Sequence, residues 1–259
     1  MACVRCGGTV APDGYCWDCG QAQPLHRARL ETSLDGAAAV TDRGLRRGVN
    51  ADAMALTTAG PWTVGVVTDG ISMTPRPERA AQVAAECGAE RLAARLTAGA
   101  LPEEALEDAA VRAGAAVAAL DGPGCTYVAG IAGPAGIWAT GVGDSRAYWL
   151  PSTGPGMALT DDDTGTLDTI SAWLGAGAPP PRPQVHSHRP HVPGTLLLCT
   201  DGLWRYLPSA DDLRVRLRGP TPLDDARTLV GHALAAGGRD NVTALVIAVV
   251  PGGEALVRL

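Results

Sequence analysis

Four aspartates stand in four separate phrases of the chain: Asp52 in GLRRGVNADA, Asp69 in VGVVTDG, Asp201 in LLLCTDGLW and Asp240 in GGRDNVTALVIAV. The last three adjoin apolar, β-branched runs of the kind that form buried strands. A carboxylate at the end of a buried strand must be paired or bound to a cation, because an isolated buried charge is too costly. Carboxylates converging from distant strands repel one another unless a divalent metal lies between them. Oxygen-only ligands favour a hard cation, Mg²⁺ or Mn²⁺, over Zn²⁺. The set therefore predicts a metal-dependent hydrolase. Any one of these residues taken alone reads more simply as a turn or cap residue, since Asp-Gly is a common turn dipeptide; the joint set is what points to a metal.

A second ligand group opens the chain. Cys3, Cys6, Cys16 and Cys19 form CVRC, nine residues, then CWDC. Two Cys-x-x-Cys knuckles at this spacing offer four thiolates for tetrahedral Zn²⁺. All four positions are then filled, so the zinc is structural. Gly7, Gly8 and Gly20 follow the knuckles, where tight turns need positive φ. Two disulfides or a redox pair are the alternative. The first residues lack a basic stretch followed by an apolar one, so no signal peptide is expected and the thiols stay reduced. About 20 residues build no core of their own, so the metal supplies most of the folding energy of this unit.

The aspartates need elements to position them. Residues 37–41, 54–58 and 63–68 read as strands. Residues 78–96 and 102–120 read as two Ala-rich amphipathic helices, the second opening with Pro102 and two acids, as helix N-termini prefer. Residues 125–131, 136–142 and 146–150 read as a meander of strands, followed by strands at 184–188 and 196–200. Helices at 209–217 and 223–236 and a strand at 243–250 complete the chain. Strand pairs with helices grouped between them predict antiparallel sheets covered by helices.

The chain has 259 residues, 46% hydrophobic, with no Phe and with Arg as its basic residue. That suffices for one large domain with a small appendage. The formal net charge of −6 argues against nonspecific nucleic-acid binding. The longest apolar stretch, 244–250, is far short of the roughly 20 residues that span a bilayer, so no membrane association is expected and the reading is a cytoplasmic protein.

The order of these phrases resembles the metal-dependent Ser/Thr protein phosphatases (the PPM, or type 2C, family), in its bacterial branch. Gly44, Arg47, Asn50 and Asp52 stand in the register Gly-x-x-Arg-x-x-Asn-x-Asp; TDG (68–70), GCT (124–126), GDSR (143–146), LLLCTDGLW (196–204) and RDNVT (239–243) follow in family order. Each phrase alone is weak; six in order over residues 37–250 are strong. The resemblance implies an α+β fold, a four-layer sandwich of two antiparallel β-sheets flanked by helices, here preceded by a small zinc ribbon. Together with the cysteine frame and the stretch that follows it, the chain divides into a zinc ribbon (1–23), a linker (24–32), the phosphatase domain (33–251) and a C-terminal tail (252–259). The resemblance also implies a site. Asp69 bridges two Mn²⁺ or Mg²⁺ ions, the Gly70 carbonyl joins one of them, Asp201 and Asp240 complete the other shell, and Asp52 sits beside the pair. Two such ions share and deprotonate one water, which attacks phosphorus. Arg47 offers a planar fork to phosphate oxygens.

Asp144 of GDSR matches the family's third, weaker metal position. The second carboxylate of that position is replaced by Arg205, which repels a cation, so Asp144 is open to pairing with Arg205 or Arg146. Ala51 replaces an acidic or amide residue. Ile71 stands where eukaryotic members carry a His, leaving protonation of the leaving group to solvent. The region 161–183 is short for the flap that bacterial members carry there, so an open site is expected. His186, His188 and His191 read as an exposed strand face rather than a metal site. Cys87, Cys125 and Cys199 read as buried small hydrophobes, and Asp161 to Asp163 as a solvated loop.

The function this implies is hydrolysis of phosphoserine and phosphothreonine on proteins, the substrates of a Ser/Thr kinase. The alternatives are a non-catalytic PPM-fold protein that binds a regulatory partner, and a protein whose working part is the ribbon.

Overall fold

The computed structural model describes residues 3–9, 15–21, 23, 28–120, 122–165 and 169–251. The C-terminal tail and residues 24–27 of the linker lie outside the described residues. In chain order the elements are β1 (Arg29–Leu34), β2 (Ala37–Asp42), β3 (Asp52–Ala59), β4 (Trp62–Asp69), α1 (Pro77–Thr97), α2 (Pro102–Ala118), β5 (Gly124–Cys125), β6 (Tyr127–Gly133), β7 (Gly136–Val142), β8 (Arg146–Pro151), β9 (Met157–Ala158), β10 (Leu174–Gly175), β11 (Val185–His188), β12 (Gly194–Cys199), α3 (Asp201–Trp204), α4 (Ala210–Arg214), α5 (Pro222–Ala235) and β13 (Val242–Val249).

Two large antiparallel sheets carry the fold. One runs β1-β2-β13-β12-β8-β9, the other β11-β7-β6-β4-β3; β5 and β10 form a small separate pair. Three apolar layers glue four structural layers together. Between the sheets lie Val67, Val128, Ile137, Trp149, Leu196, Leu198, Leu245 and Ile247. The five-stranded sheet is covered on its outer face by α1 and α2, and the six-stranded sheet by α3 to α5. With no Phe available, alanines fill much of the layer that α1 and α2 make with this sheet, where Ala80, Ala81, Ala84, Ala105, Ala109 and Ala113 are all fully buried. Small side chains let the helices approach closely, and each buried methyl adds to the core at roughly 25 cal/mol per Å² of apolar area removed from water.

The helices begin as the sequence predicts. Pro102 opens α2 with Glu103 and Glu104 in its first turn. Ser209 closes a capping box with Asp212 at α4, and Thr221 caps α5, so backbone donors that the first turn leaves unpaired find side-chain acceptors. In contrast, Arg76 before α1 adopts φ 49°, ψ 55° and caps nothing with its side chain.

Four readings need correction. The segment read as a linker carries strand: β1 begins at Arg29 and pairs with β2 along its whole length. Its six residues are all exposed, so it lacks the apolar alternation that marks a strand in sequence. The helix read at 209–217 is shorter, Ala210–Arg214. The short helix α3 stands directly after β12, at the TDGLW phrase that read only as a strand end. Of the three cysteines read as buried, Cys125 and Cys199 are buried and Cys87 is half-buried.

Candidate active site and thiolate cluster

Each predicted aspartate lies at a strand or helix end, and they come together at one end of the two sheets. Asp52 opens β3 and Asp69 closes β4, directly opposite each other in register. Asp201 opens α3 immediately after β12, and Asp240 lies two residues before β13. Strand β12 pairs with β13, which brings the two phrases TDG and RDN side by side. Two glycines make that approach possible. A Cβ on Gly202 would stand 1.9 Å from the Asn241 carbonyl oxygen, and one on Gly44, at φ +76°, would stand 2.1 Å from that of Asp240.

Asn241 ties the first motif to the last. Its Oδ1 accepts from the Ala51 amide at 2.7 Å, and its Nδ2 donates to the Arg43 and Val49 carbonyls at 2.8 and 2.9 Å. The loop carrying Arg47 and Asn50 is thereby fixed against Asp240. Arg47 then makes a two-pronged ion pair with Asp240, Nε to Oδ1 at 2.7 Å and Nη2 to Oδ2 at 2.5 Å.

Asp52 is buried, and one of its oxygens is fully used: Oδ2 accepts from Thr200 at 2.9 Å and from Thr243 at 2.7 Å. Thr243 also lies 2.7 Å from the Thr41 hydroxyl, which accepts from Asn50 Nδ2 at 2.9 Å. The other oxygen, Oδ1, is buried with no partner, as are Oδ1 of Asp144 and Oδ1 of Asp201. Asp69 is held through its backbone: its amide donates to Thr126 Oγ1 at 2.9 Å and its carbonyl accepts from the Thr126 amide at 2.8 Å. Thr126 in turn shares a 2.7 Å hydroxyl contact with Ser145 of GDSR. The Gly70 amide donates to the Ala51 carbonyl at 3.1 Å.

The electrostatics follow from this crowding. Burial raises the Asp52 carboxyl to about 7; the Thr243 and Thr200 hydroxyls oppose the rise, and the Asp201 and Asp240 charges add to it. Burial and the neighbouring charges of Asp52, Asp201 and Asp240 hold Asp69 well above the usual carboxylate range. Burial and Asp201 push Asp144 up to about 6. Burial also raises Asp201, against the pull of Arg205. Acids kept reluctant to ionise by each other's charge, with unpartnered oxygens, fit a divalent cation, whose charge would reverse the effect.

Asp144 pairs with Arg205 rather than Arg146. Arg205 Nε lies 2.7 Å from Asp201 Oδ2, and Nη2 lies 3.9 Å from Asp144 Oδ2. Arg146 makes two 2.8 Å bonds to Asp162. Asp163 accepts from the Gly143 amide at 3.0 Å. Asp162 and Asp163 are therefore built into the fold, whereas the sequence reading left them in solvent. His186 and His188 are half-buried on β11, with His188 stacked obliquely on Trp149.

The threonines were not singled out from sequence, although Thr200, Thr126 and Thr243 all lie inside the recognised phrases. Their signal is positional: each hydroxyl directly precedes, follows or neighbours a strand-end aspartate in a buried setting, where a hydroxyl must find a partner.

The four cysteines also meet. Their sulfurs all lie within 4.8 Å of one another, with Cys3 to Cys19 at 3.7 Å and Cys6 to Cys16 at 3.5 Å. Four thiolates at about 2.3 Å from a tetrahedral ion stand roughly 3.8 Å apart, so the cluster fits zinc with little movement. The two knuckles repeat one design: Cys3 receives the Gly7 amide and Cys16 the Gly20 amide, and Gly7 and Gly20 take φ +74° and +68°. Gly8 differs from expectation: it does not take positive φ, and the Asp18 carboxylate, which accepts from the Thr9 amide, stands 1.9 Å from its would-be Cβ. Burial pushes the Cys3 thiol up, and donors from the Cys6 and Arg5 backbone and from Gln23 outweigh it, lowering it to about 6. For Cys6 the Gly8 amide lowers, but the Cys19 and Cys16 sulfurs prevail and raise it to about 12. All seven cysteines are free. No helix among the described residues is long and apolar enough to cross a membrane.

Comparison with known proteins gives the same direction. The family model described as protein phosphatase 2C matches residues 45–227, more than half of the chain. No curated protein matches the chain at a significant level. Among solved structures, the catalytic domain of the serine/threonine protein phosphatase PstP, in complex with two manganese ions, is similar at 25% identity and TM-score 0.65, over 85% of this chain and 99% of that one. The PPM Ser-Thr phosphatase MsPP from Mycobacterium smegmatis, in complex with cacodylate, is similar at 25% identity and TM-score 0.63, over 83% and 99%. The serine/threonine phosphatase Stp1 from Staphylococcus aureus shares the fold at 23% identity and TM-score 0.70, over 84% and 96%. With four motif aspartates gathered at one end of two stacked sheets and this match spanning most of the domain, the chain belongs to the protein phosphatase 2C family, the PPM serine/threonine protein phosphatases.

Proposed function

We propose that this protein hydrolyses phosphoserine and phosphothreonine on proteins with two Mn²⁺ or Mg²⁺ ions held by Asp69, the Gly70 carbonyl, Asp201 and Asp240, with Asp52 beside them. The observation that carries this is the set of buried carboxylate oxygens without partners, Oδ1 of Asp52 and Oδ1 of Asp201, at the place where the strand-end motifs meet. When bound, two such ions supply a nucleophile from water near neutral pH and neutralise charge on the phosphoryl group. The chain's own groups do the rest. Thr200 and Thr243 fix the rotamer of Asp52 and keep it a good acceptor. Asn241 and Gly202 hold the last two motifs in contact. Arg47, partly exposed and on Asp240, has a fork that suits two phosphate oxygens once a cation competes for that carboxylate. Protonation of the leaving group falls to solvent, since Ile71 stands beside Gly70. The thiolate cluster holds one structural Zn²⁺, and we assign the ribbon to 1–23, the linker to 24–28 and the catalytic domain to 29–251, the last boundary supported by the pairing of β1 with β2. The substrates are phosphoproteins made by a Ser/Thr kinase in the same reducing compartment, the cytoplasm.

One observation favours a second reading, a non-catalytic protein that binds a partner: arginines already neutralise Asp240 and Asp201. The test is phosphate release from a phosphothreonine peptide at matched Mn²⁺ by wild type and Asp201→Asn. The enzyme reading expects turnover in the first and near silence in the second. Equal rates, or none in either, select the second reading.

A further inference from the structure

The side of the aspartate cluster formed by Asp144 and Asp201 is arranged differently from the rest. Residue 205, the C-cap of α3, lies one helical turn after Asp201, so its side chain returns over that carboxylate, as an i,i+4 pair does. Here that residue is an arginine. Its Nε bonds Asp201 Oδ2 at 2.7 Å and its Nη2 stands 3.9 Å from Asp144 Oδ2.

The guanidinium is held in place by more than these charges. It lies 5.0 Å from the Trp204 ring centroid, while Arg146 lies 3.7 Å from the same ring. Arg146 is anchored by two bonds to Asp162. The Trp204 indole donates to the Asp144 carbonyl at 2.8 Å. The ring is thus pinned to the backbone of Asp144, and a planar cation lies along it where cation–π attraction is favourable. The Asp144 side chain is 6% exposed, and the cation paired with it among the described residues is Arg205.

We infer that Arg205 is a built-in cation that occupies the place between Asp144 and Asp201 and excludes a third divalent metal there. The family's third position therefore does not fit this chain, and Asp144 is a partner of Arg205 rather than a metal ligand. The inference rests on the two-metal reading of the other aspartates. A divalent ion bridging Asp144 and Asp201 would share Asp201 Oδ2 with a fixed positive group and lie within a few ångströms of it. An arginine keeps its charge at every accessible pH, so the exclusion does not relax with pH, although the Arg205 side chain is 54% exposed.

The test is a Mn²⁺ titration of the full-length, chelator-washed protein, counting Mn per chain by elemental analysis, with zinc counted separately. Wild type should bind two Mn²⁺, and Asp144→Asn should still bind two. Arg205→Asp should bind three, and adding Asp144→Asn to it should return the count to two. Arg205→Gln, which removes the charge without adding a ligand, should also admit a third and carries the test if Arg205→Asp does not fold. Three Mn²⁺ in wild type, falling to two in Asp144→Asn, would overturn the inference. So would a count of two in a folded Arg205→Gln. Fewer than two in wild type would fail the underlying two-metal reading as well, and the count tells the cases apart.

Discussion

In the amino-terminal unit four ligand atoms come within 4.8 Å of one another without help from any other charge. In the catalytic domain the aspartates converge only because other groups intervene: Arg47 on Asp240, Arg205 on Asp201, and Thr200 and Thr243 on Asp52. Of the four thiols Cys3 is lowered to about 6 and Cys6 raised to about 12, so the cluster does not gather four negative charges before a metal takes them. Carboxylates carry charge into the cluster, and the chain must supply donors or counter-charges wherever no hard cation does. The first site can therefore be closed and structural. The second must stay partly unsatisfied, and its orphaned oxygens are the part available for chemistry.

The largest effect should come from the thiolates. Zinc binding to such a cluster is worth about 10–16 kcal/mol at neutral pH. Cys3→Ser, whose parent sulfur receives both the Arg5 amide and the Gln23 side chain, should lose the zinc and the order of the ribbon. The same protein should keep its phosphatase activity, as should a chain lacking residues 1–23. Zinc content and turnover measured together check this. Loss of turnover with the zinc would merge the two regions into one unit.

Next in size is Asp201→Asn, which removes a charge from the proposed shell. Changes even to outer partners of a metal site cost about 10–100-fold, so a direct ligand should cost more than about 100-fold in kcat. Kinetics at saturating Mn²⁺ provide the check, and a loss of under tenfold would place Asp201 outside the shell.

Thr243→Val keeps the shape but leaves Asp52 Oδ2 with one donor in place of two. A buried acceptor left short costs about 1–3 kcal/mol. Chemical denaturation of the metal-free protein should show a loss in that range, and Mn²⁺ affinity should fall by roughly tenfold. Unchanged stability would mean that Thr200 alone fixes Asp52.

Arg47→Ala removes a two-pronged contact worth about 1.5–3 kcal/mol. The expected result is a KM raised by about tenfold or more, since 1.4 kcal/mol is a factor of ten, with Mn²⁺ stoichiometry unchanged. Unchanged KM would confine Arg47 to its bond with Asp240.

The smallest effect is with pH. Asp52 stands at about 7 in the folded, metal-free state, above its ordinary carboxylate value. The folded state then holds more protons than the unfolded one between roughly pH 4 and 7, so metal-free stability falls as pH rises through that window. Cation binding must displace that proton, so Mn²⁺ affinity should rise with pH through that window. Calorimetry in buffers of different ionisation heat would detect the released proton. Affinity flat across the window would mean that Asp52 is already ionised.

Much of the catalytic half was legible because its aspartates terminate apolar runs: VGVVTD, LLLCTD and NVTALVIAV each announce a buried strand with a charge at or beside its end. The thiolate unit was legible from spacing alone. Strand β1 was not, because its two leucines, Leu30 and Leu34, stand four apart among Arg, Glu, Thr and Ser and all six residues are exposed, which leaves no period-two burial pattern to read. The pairing of Arg47 with Asp240 was hidden as well. It joins residues 193 apart in the chain, and which acid meets which arginine depends on the loop that Asn241 fixes. The hydroxyls on Asp52 were hidden for the same reason, since Thr200 and Thr243 reach it from 148 and 191 residues away.

The most direct test of two metal sites of opposite kind is one titration. Chelator-washed full-length protein is supplied with rising Mn²⁺, and phosphate release from a phosphothreonine peptide is followed while bound zinc is measured in the same samples. Activity should rise from background to saturation with Mn²⁺ while zinc stays constant at one per chain. Activity that tracks zinc content, or that persists in full without Mn²⁺ or Mg²⁺, would contradict the account.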